Sequence, residues 1–371
     1  MRNLVLLLMF AVVAIPAPAA RRVTVDQLDQ ALAKVKSKPD QEVVRWLSGL
    51  QLTERMSTPN LMRWKDAMPG VQSWKALTAL ADSSAFLGLP SEDIPHTAPL
   101  DQDAQRQLLA LATAYVENTL SKLPDFFATQ AINMFEDTPL GHEDATPYQP
   151  LHYADYMSAT VFYRGGKEVM ETHSGEVAEK DQTVTPTAGL LSSGEFGPVL
   201  NTVLTDAQKG ELTWDHWEAG AASPVAVFRY SVPRSKSHYK VKVLVPDRGY
   251  PFQARPGYHG EIAIDPASGT ILRLTLVADL IDDDPMSRAD LMVEYGPVEI
   301  GGRTYVCPVK SVALTVASQD LQTVELHGFI SHARGPSQTL LNDVTFEHYH
   351  VLRSDVKILT GADTDDDKDL P

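Results

Sequence analysis

The chain has 371 residues, of which 43% are hydrophobic and 22% charged, proportions that are typical of a globular protein. They exclude a chain that is disordered throughout, a collagen-like chain and a membrane protein with many spans. The 48 acidic residues outnumber the 32 basic ones, so the net charge is −16. General binding to nucleic acid or to an anionic membrane is excluded, because both require a basic surface. The single cysteine, Cys307, excludes an internal disulfide and a cysteine-rich zinc site.

The N-terminus has the composition of a secretory signal peptide. Arg2 precedes an apolar run over 4–15, and small residues surround Ala19 and Ala20. A positive start, a short apolar core and a small-residue cleavage site are the parts of such a signal, and the run is shorter than the about 20 residues that a membrane-spanning helix needs. We expect residues 1–20 to be removed by cleavage near Ala19–Ala20, which gives a periplasmic or secreted bacterial protein with no transmembrane span. The alternative is an uncleaved membrane anchor.

Residues 21–122 show the periodicity of helices. Thr24 and Gln27 match a capping box, and apolar residues then recur at helical spacing. The Pro-rich segment 88–99 is predicted to be a linker, and 101–120 to be the longest helix. The predicted buried stripe of that helix comprises Leu108, Leu111, Ala112, Tyr115 and Thr119.

Residues 123–353 show the alternation of β-strands, with turn residues between about nine to eleven segments. The clearest hairpin covers 258–277, where apolar residues alternate with polar ones such as Arg273 and Thr275. Such alternation belongs to an antiparallel sheet with one covered face. The sequence therefore predicts an α+β fold, in which an N-terminal helical region is followed by a curved antiparallel sheet, or open barrel. The apolar face of the hairpin is predicted to comprise Ile262 and Ile264 on the first strand and Leu272, Leu274 and Leu276 on the return strand.

The sequence contains no recognisable catalytic set, so we predict a non-enzymatic protein without a cofactor. G-x-S-x-G and H-E-x-x-H do not occur, and the S-x-x-K match at 237–240 lies in a predicted strand rather than at a helix start. His348 and His350 share one face of a predicted strand and are the strongest metal candidates. A metal needs a third ligand, and the alternative is a pair of rim histidines. The acidic cluster 363–369 lacks the glycine and the final glutamate of a calcium loop. The segment 354–371 is predicted to be a disordered tail.

Three segments of the β region resemble periplasmic lipoprotein carriers of the LolA/LolB type and the related sensor module of the MucB/RseB type. They are 260–266 (G-E-I-A-I-D-P), 269–273 (G-T-I-L-R) and 298–308 (V-E-I-G-G-R-T-Y-V-C-P). The first two read as a strand, a turn and a return strand. The third fits the same meander, with a second turn predicted at Gly301–Gly302. In detail the chain is similar to families of uncharacterised exported bacterial proteins, through the segment L-P-D-F-F-A at 123–128.

The resemblance implies an unclosed β-barrel whose concave apolar face is covered by a helical lid. Such a face would bind acyl chains or an apolar partner segment. The alternative is that the same residues form a filled core, and a register shift of one residue would reverse the face of a strand. The implied lining residues are Leu212, Trp214, Phe228, Tyr230, Ile262, Ile264, Leu272, Leu274 and Leu276.

These patterns support three hypotheses about function. The leading one is an exported, non-enzymatic protein that binds a lipid, a lipoprotein or another apolar small molecule on the concave face of the sheet. The second is a protein-interaction or sensor module of the cell envelope, whose helical region docks an envelope protein partner. The third is a metal-dependent hydrolase built on His348 and His350. None of the three involves nucleic acid, since the chain is acidic.

Overall fold

A computed structural model describes residues 20–120, 122–138, 149–173, 189–190, 196–220, 223–244, 252–281, 284–320, 324–326, 329–331 and 334–352. The predicted signal peptide, apart from Ala20, and the predicted acidic tail lie outside the described residues. Within the described ranges, no helix combines the length and the apolar character that a membrane crossing requires.

The N-terminal region is helical, as the periodicity predicts. The capping box is confirmed: the Thr24 hydroxyl accepts a hydrogen bond from the Gln27 amide, and the Gln27 side chain accepts one from the Thr24 amide. Two short strands, β1 (Arg21–Val23) and β2 (Leu50–Leu52), add a parallel pair that the periodicity did not predict. The helices are α1 (Val25–Val35), α2 (Asp40–Leu47), α3 (Thr58–Met62), α4 (Val71–Ser83) and α5 (Gln102–Leu120), with 3₁₀ turns at Lys65–Ala67 and Ser91–Asp93.

Helices α1 to α4 pack around an apolar core of their own. Leu28 and Leu32 lie four residues apart on α1 and therefore project from one face of the helix. Both are fully buried with Val43 of α2 and Leu77 of α4. The apolar periodicity of these helices is thus explained by packing within the helical region.

Most of the remaining described chain is β-strand, and one helix, α6 (Pro198–Ala207), interrupts it. The strands are β3 (Phe126–Thr138), β4 (Gln149–Arg164), β5 (Lys167–His173), β6 (Gly189–Leu190), β7 (Glu211–Glu218), β8 (Val225–Val232), β9 (Val241–Leu244), β10 (Phe252–Ala254), β11 (Gly257–Ile264), β12 (Ile271–Asp279), β13 (Met286–Ile300), β14 (Arg303–Asp320), β15 (Val324–Leu326), β16 (Phe329–Ser331) and β17 (Arg334–Val351).

Ten strands form one antiparallel sheet in the order β5-β4-β3-β17-β14-β13-β12-β11-β8-β7. Strands β5 and β7 are its edges and do not pair with each other among the described residues, so the sheet is not closed into a barrel. The predicted α+β class, with helices first and an antiparallel sheet second, is confirmed. Two smaller sheets, β10-β9-β6 and β15-β16, accompany the large one.

The turns of two hairpins lie where the sequence predicts them. Strands β11 and β12 are joined around Gly269, and β13 and β14 around Gly301 and Gly302. These three glycines have φ angles of 74°, 60° and 79°, a region that glycine adopts without the steric cost of a Cβ atom. Local turn chemistry therefore determines both hairpins.

Helices cover both faces of the large sheet. On one face, Leu108, Ala112 and Val116 of α5 are buried in the largest apolar core, together with residues of α6. On the other face, Ala79 of α4 packs in a separate apolar cluster with residues of β3, β13, β14 and β17. The predicted α5 stripe is right for Leu108 and Ala112 but wrong for Leu111, which is 41% exposed. The buried residues follow i, i+4, i+8 spacing, and Leu111 lies beside that line.

Candidate functional site

Six of the nine predicted ligand-binding residues lie together on the sheet face that α5 and α6 cover. Each is at most 1% exposed and belongs to the largest apolar core, together with Leu108 and Ala112 of α5. The one polar group among them is satisfied, because the Tyr230 hydroxyl donates to the Thr275 carbonyl oxygen at 2.6 Å. These side chains are therefore packed beneath the helices. The six are Phe228, Tyr230, Ile262, Ile264, Leu274 and Leu276.

The other three predicted residues lie at the margin of that core or outside it. Leu212 and Trp214, on the edge strand β7, are partly buried against the core, and the Trp214 ring meets Phe228 edge-on at a centroid distance of 5.6 Å. Leu272 packs instead with a small cluster that includes Ala263. The cause is a shift in the pairing of β11 with β12, which leaves Leu272 as the extra residue of a bulge.

A groove of about 660 Å³ runs along α5, between the helix and the ends of two hairpins; we call it the α5 groove. Its floor is apolar, because Tyr115 and Val306 also pack against the largest core. Leu111 adds an exposed apolar side chain to its wall. Exposed apolar surface next to an apolar floor is characteristic of a binding groove. The lining residues are Leu111, Ala114, Tyr115, Asn118, Thr119, Lys122, Ser268, Thr304, Tyr305 and Val306.

The turn between β11 and β12 forms one wall of the α5 groove. A Cβ atom added at Gly269 would lie 2.7 Å from Leu111 Cγ and 2.8 Å from the Leu111 carbonyl carbon. Only glycine permits both this close approach and the positive φ angle of the turn. The backbone of the turn therefore packs closely against Leu111 of α5.

The charge of the α5 groove lies just beyond the C-terminal end of α5. Lys122 is exposed and is the sole charged side chain among the described lining residues. A cation at this end of a helix is favoured by the helix dipole. The groove therefore combines an apolar wall with one cationic end.

A second cavity, of about 280 Å³, lies on the opposite face of the sheet, beneath the helical region; we call it the interlayer cavity. Arg55, from the segment before α3, reaches Glu218 of β7 at 2.8 Å. Glu218 also accepts two hydrogen bonds from Arg273 of β12, at 2.8 and 2.7 Å. All three side chains are buried. Glu261 of β11 adds contacts at 3.6 Å to Arg55 and 3.5 Å to Arg273.

A second buried ion cluster also joins the helical region to the sheet. The ammonium of Lys310, on β14, lies 2.8 Å from Asp82 of α4 and 3.2 Å from Asp343 of β17. Burial raises the pKa of Asp82 to about 8, and Asp343 adds to this effect while Lys310 opposes it. Burial alone would lower the pKa of Lys310, but the two carboxylates raise it. Lys310 is therefore held as a cation between two acids.

The predicted metal pair has no third ligand in the described part of the chain. His348 and His350 are exposed at a bulge where β17 pairs with β3, and His348 has a φ angle of 52°. The His350 ring lies 5.1 Å from that of Phe127. No three His, Cys, Asp or Glu side chains are placed to hold a metal among the described residues. Cys307 is 1% exposed, and burial raises the pKa of its thiol to about 12, which disfavours the reactive thiolate.

No protein-family model, curated protein or solved structure matches this chain. The likeness to lipoprotein carriers and to uncharacterised exported families stays a prediction.

Sequence patterns did not predict either cavity. The apolar spacing places Leu111 in the buried stripe of α5, and nothing in the sequence brings that helix beside Tyr305 of β14. Arg55 lies in a segment without helical or strand periodicity, so no local sequence pattern predicts its contact with Glu218. One signal was available: Arg273 faces away from the apolar side of its strand, and a covering layer would bury it with a partner.

Proposed function

We propose that this chain is an exported, non-enzymatic protein that holds a single-chain amphiphile, such as a fatty acid, in the α5 groove. The observation that supports this proposal is an open, mainly apolar groove with an exposed leucine, Leu111, and a single cationic end at Lys122. The volume of about 660 Å³ falls in the range of about 300–1,000 Å³ that ligand sites occupy. The acyl chain lies along Leu111 and Tyr115, and the anionic group lies near Lys122.

The position of the groove supports an apolar ligand over a polar one. Tyr115 and Val306 form its floor and touch the largest apolar core, so a bound chain would extend that core outward. Each buried methylene contributes about 0.8 kcal/mol. The affinity should therefore rise with the length of the acyl chain. A ligand with a neutral head group should bind more weakly only by the contribution that Lys122 makes to an anionic one.

The test is a titration of a fluorescent long-chain fatty acid into the purified protein and into Leu111→Asp. A charge at this position removes apolar contact worth about 1.5–3 kcal/mol, so we expect binding to weaken at least about tenfold. Met62→Asp is the matched control, since Met62 is 45% exposed and lies outside the groove. Lys122→Gln should weaken the fatty acid but leave the corresponding fatty alcohol unchanged.

Two results would reject the proposal. One is equal binding by the wild type and Leu111→Asp. The other is an equal loss in Leu111→Asp and Met62→Asp, which would show that the probe responds to surface charge rather than to the groove. Mass spectrometry of the natively purified protein adds an independent readout, because a co-purified amphiphile is expected in the wild type and not in Leu111→Asp.

A further inference from the structure

The interlayer cavity lies on the other face of the sheet from the α5 groove, and its lining differs in kind. Its walls come from the segment 55–61, from α4, and from strands β7, β12 and β13. Apolar side chains such as Met56 and Met292 alternate around it with ionisable ones. A cavity with apolar and ionisable walls at an interface between layers is a second place where a small ligand fits.

The two arginines of the cavity are already matched by acids. Arg55 and Arg273 share Glu218 at 2.7–2.8 Å, and both also face Glu261 at 3.5–3.6 Å. Two guanidinium charges are therefore balanced by two carboxylate charges. They leave no net positive charge to attract an anion.

The remaining ionisable groups leave an excess of negative charge. Lys310 is shared by Asp82 and Asp343, and Asp82, whose pKa burial raises to about 8, holds a proton near neutral pH. Glu294 and Asp93 also line the cavity, and no salt bridge reaches either of them within the described part of the chain. Glu294 lies between Arg273 and Lys310 in the register of β12, β13 and β14, but both of these cations are held by other carboxylates.

Three buried atoms of the cavity lining have no hydrogen-bond partner among the described residues: Arg55 Nη2, Arg273 Nε and Asp82 Oδ2. Both guanidinium groups nevertheless lie 2.7–2.8 Å from Glu218, so Asp82 Oδ2 is the acceptor left over. Asp82 is 4% exposed and lines the cavity, and its Oδ2 atom has no hydrogen-bond partner among the described residues. An unsatisfied buried carboxylate oxygen is costly, so such atoms require an explanation. The acids do not converge closely enough for a metal ion, since no group of three metal-ligating side chains occurs in the described ranges.

We propose that the interlayer cavity binds a compact organic dication, of the class of short alkyl diamines. The ammonium groups are received by the lining carboxylates Asp82, Glu294 and Asp93, and the alkyl body lies against Met56 and Met292. This geometry satisfies the free oxygen of Asp82 and offsets the excess negative charge. The site is independent of the α5 groove, so either can fail without the other.

Binding should release a proton. Burial raises the pKa of Asp82. The nearby carboxylates of Asp343 on β17 and Glu294 on β13 raise it further, whereas the ammonium of Lys310 on β14 lowers it. An ammonium beside Asp82 favours the ionised carboxylate. Affinity for a diamine should therefore increase as the pH rises from about 6 to about 8.

The test is isothermal titration calorimetry of the full chain with diaminobutane, in two buffers of different ionisation enthalpy. We expect binding with net proton release, no binding of butanediol or succinate, and a loss of affinity of at least about tenfold in Asp82→Asn and Glu294→Gln. Asp103→Asn is the matched control, since Asp103 is exposed on α5 and lies outside the cavity; it should bind as the wild type does. Thermal unfolding establishes that each variant is folded.

Several results would overturn the proposal. Absence of diaminobutane binding to the wild type would do so, as would equal binding of butanediol or preferential binding of succinate. Unchanged diaminobutane affinity in Glu294→Gln would also overturn the proposal. If Asp82→Asn fails to fold, Glu294→Gln still tests the site, because Glu294 makes no salt bridge that the fold would lose. Fatty-acid binding by Leu111→Asp tests only the α5 groove, and its loss says nothing about diamine binding in the interlayer cavity.

Discussion

The ion cluster around Glu218 joins the helical region to the sheet, and its burial allows us to predict how much stability is lost when the cluster is broken. Glu218 is 8% exposed, accepts two hydrogen bonds from Arg273 and pairs with Arg55. Glu218→Gln keeps the shape of the side chain but removes its charge. Two buried guanidinium groups then have only Glu261, at 3.5–3.6 Å, to balance them.

The magnitude follows from the burial of the cluster. Removing one partner of a buried ion pair costs about 3–5 kcal/mol, because the remaining charge stays desolvated. Arg55→Met should cost less, about 1–3 kcal/mol, since Glu218 retains the bidentate contact with Arg273. Glu218→Gln should therefore be the more destabilising of the two.

The assay is urea unfolding, followed by circular dichroism, together with limited proteolysis of the folded protein. Because Arg55 belongs to the helical region, both variants should also speed cleavage within residues 21–100. Glu42→Gln is the control, as its ion pair with Lys38 is exposed and should contribute less than about 1 kcal/mol. A loss below about 1 kcal/mol in Glu218→Gln, or equal effects in Arg55→Met and Glu42→Gln, would refute the reasoning.

Three further predictions concern α5 and the buried Asp82. Gly269→Ala should destabilise the fold by about 2 kcal/mol or more in urea unfolding, because the backbone is left-handed and the new Cβ meets Leu111; a neutral effect would contradict the contact. Leu108→Ala should cost about 2–5 kcal/mol, since Leu108 is 6% exposed, and a cost below about 1 kcal/mol would show that α5 does not cover the sheet. Burial raises the pKa of Asp82 in the folded state, so the contribution of Asp82 to stability should fall as the pH rises from about 4 to about 8. In melting curves over this window Asp82→Asn should lose less stability than the wild type; parallel curves would contradict the burial argument.

Features controlled by neighbouring residues were predicted correctly. The capping box at Thr24 and the hairpin turns at Gly269 and Gly301 each depend on contacts within a few residues, and the sequence contains all the groups involved. The alternation along β11 and β12 correctly placed Ile262 and Leu274 on one buried face. These contacts are local, so their chemistry can be read without knowing the fold.

Features that depend on how layers pack were not predicted. Leu111 continues the apolar period of α5, yet the rotation of the helix on the sheet leaves it exposed. Leu272 continues the alternation of β12, yet the shift in pairing with β11 moves it to another cluster. In both cases the deciding contact comes from a different element of the chain.

By itself, the sequence determined the order of helices and strands, the antiparallel class of the sheet and the apolar face of the β11–β12 hairpin, because these follow from periodicity and turn residues. Only the tertiary structure decided that α5 and α6 cover this face, that a groove runs beside α5, and that Arg55 and Asp82 meet the opposite face. The physical reason is distance along the chain. Arg55 and Glu218, or Asp82 and Lys310, are brought together by the packing of two layers, and no local pattern records that contact.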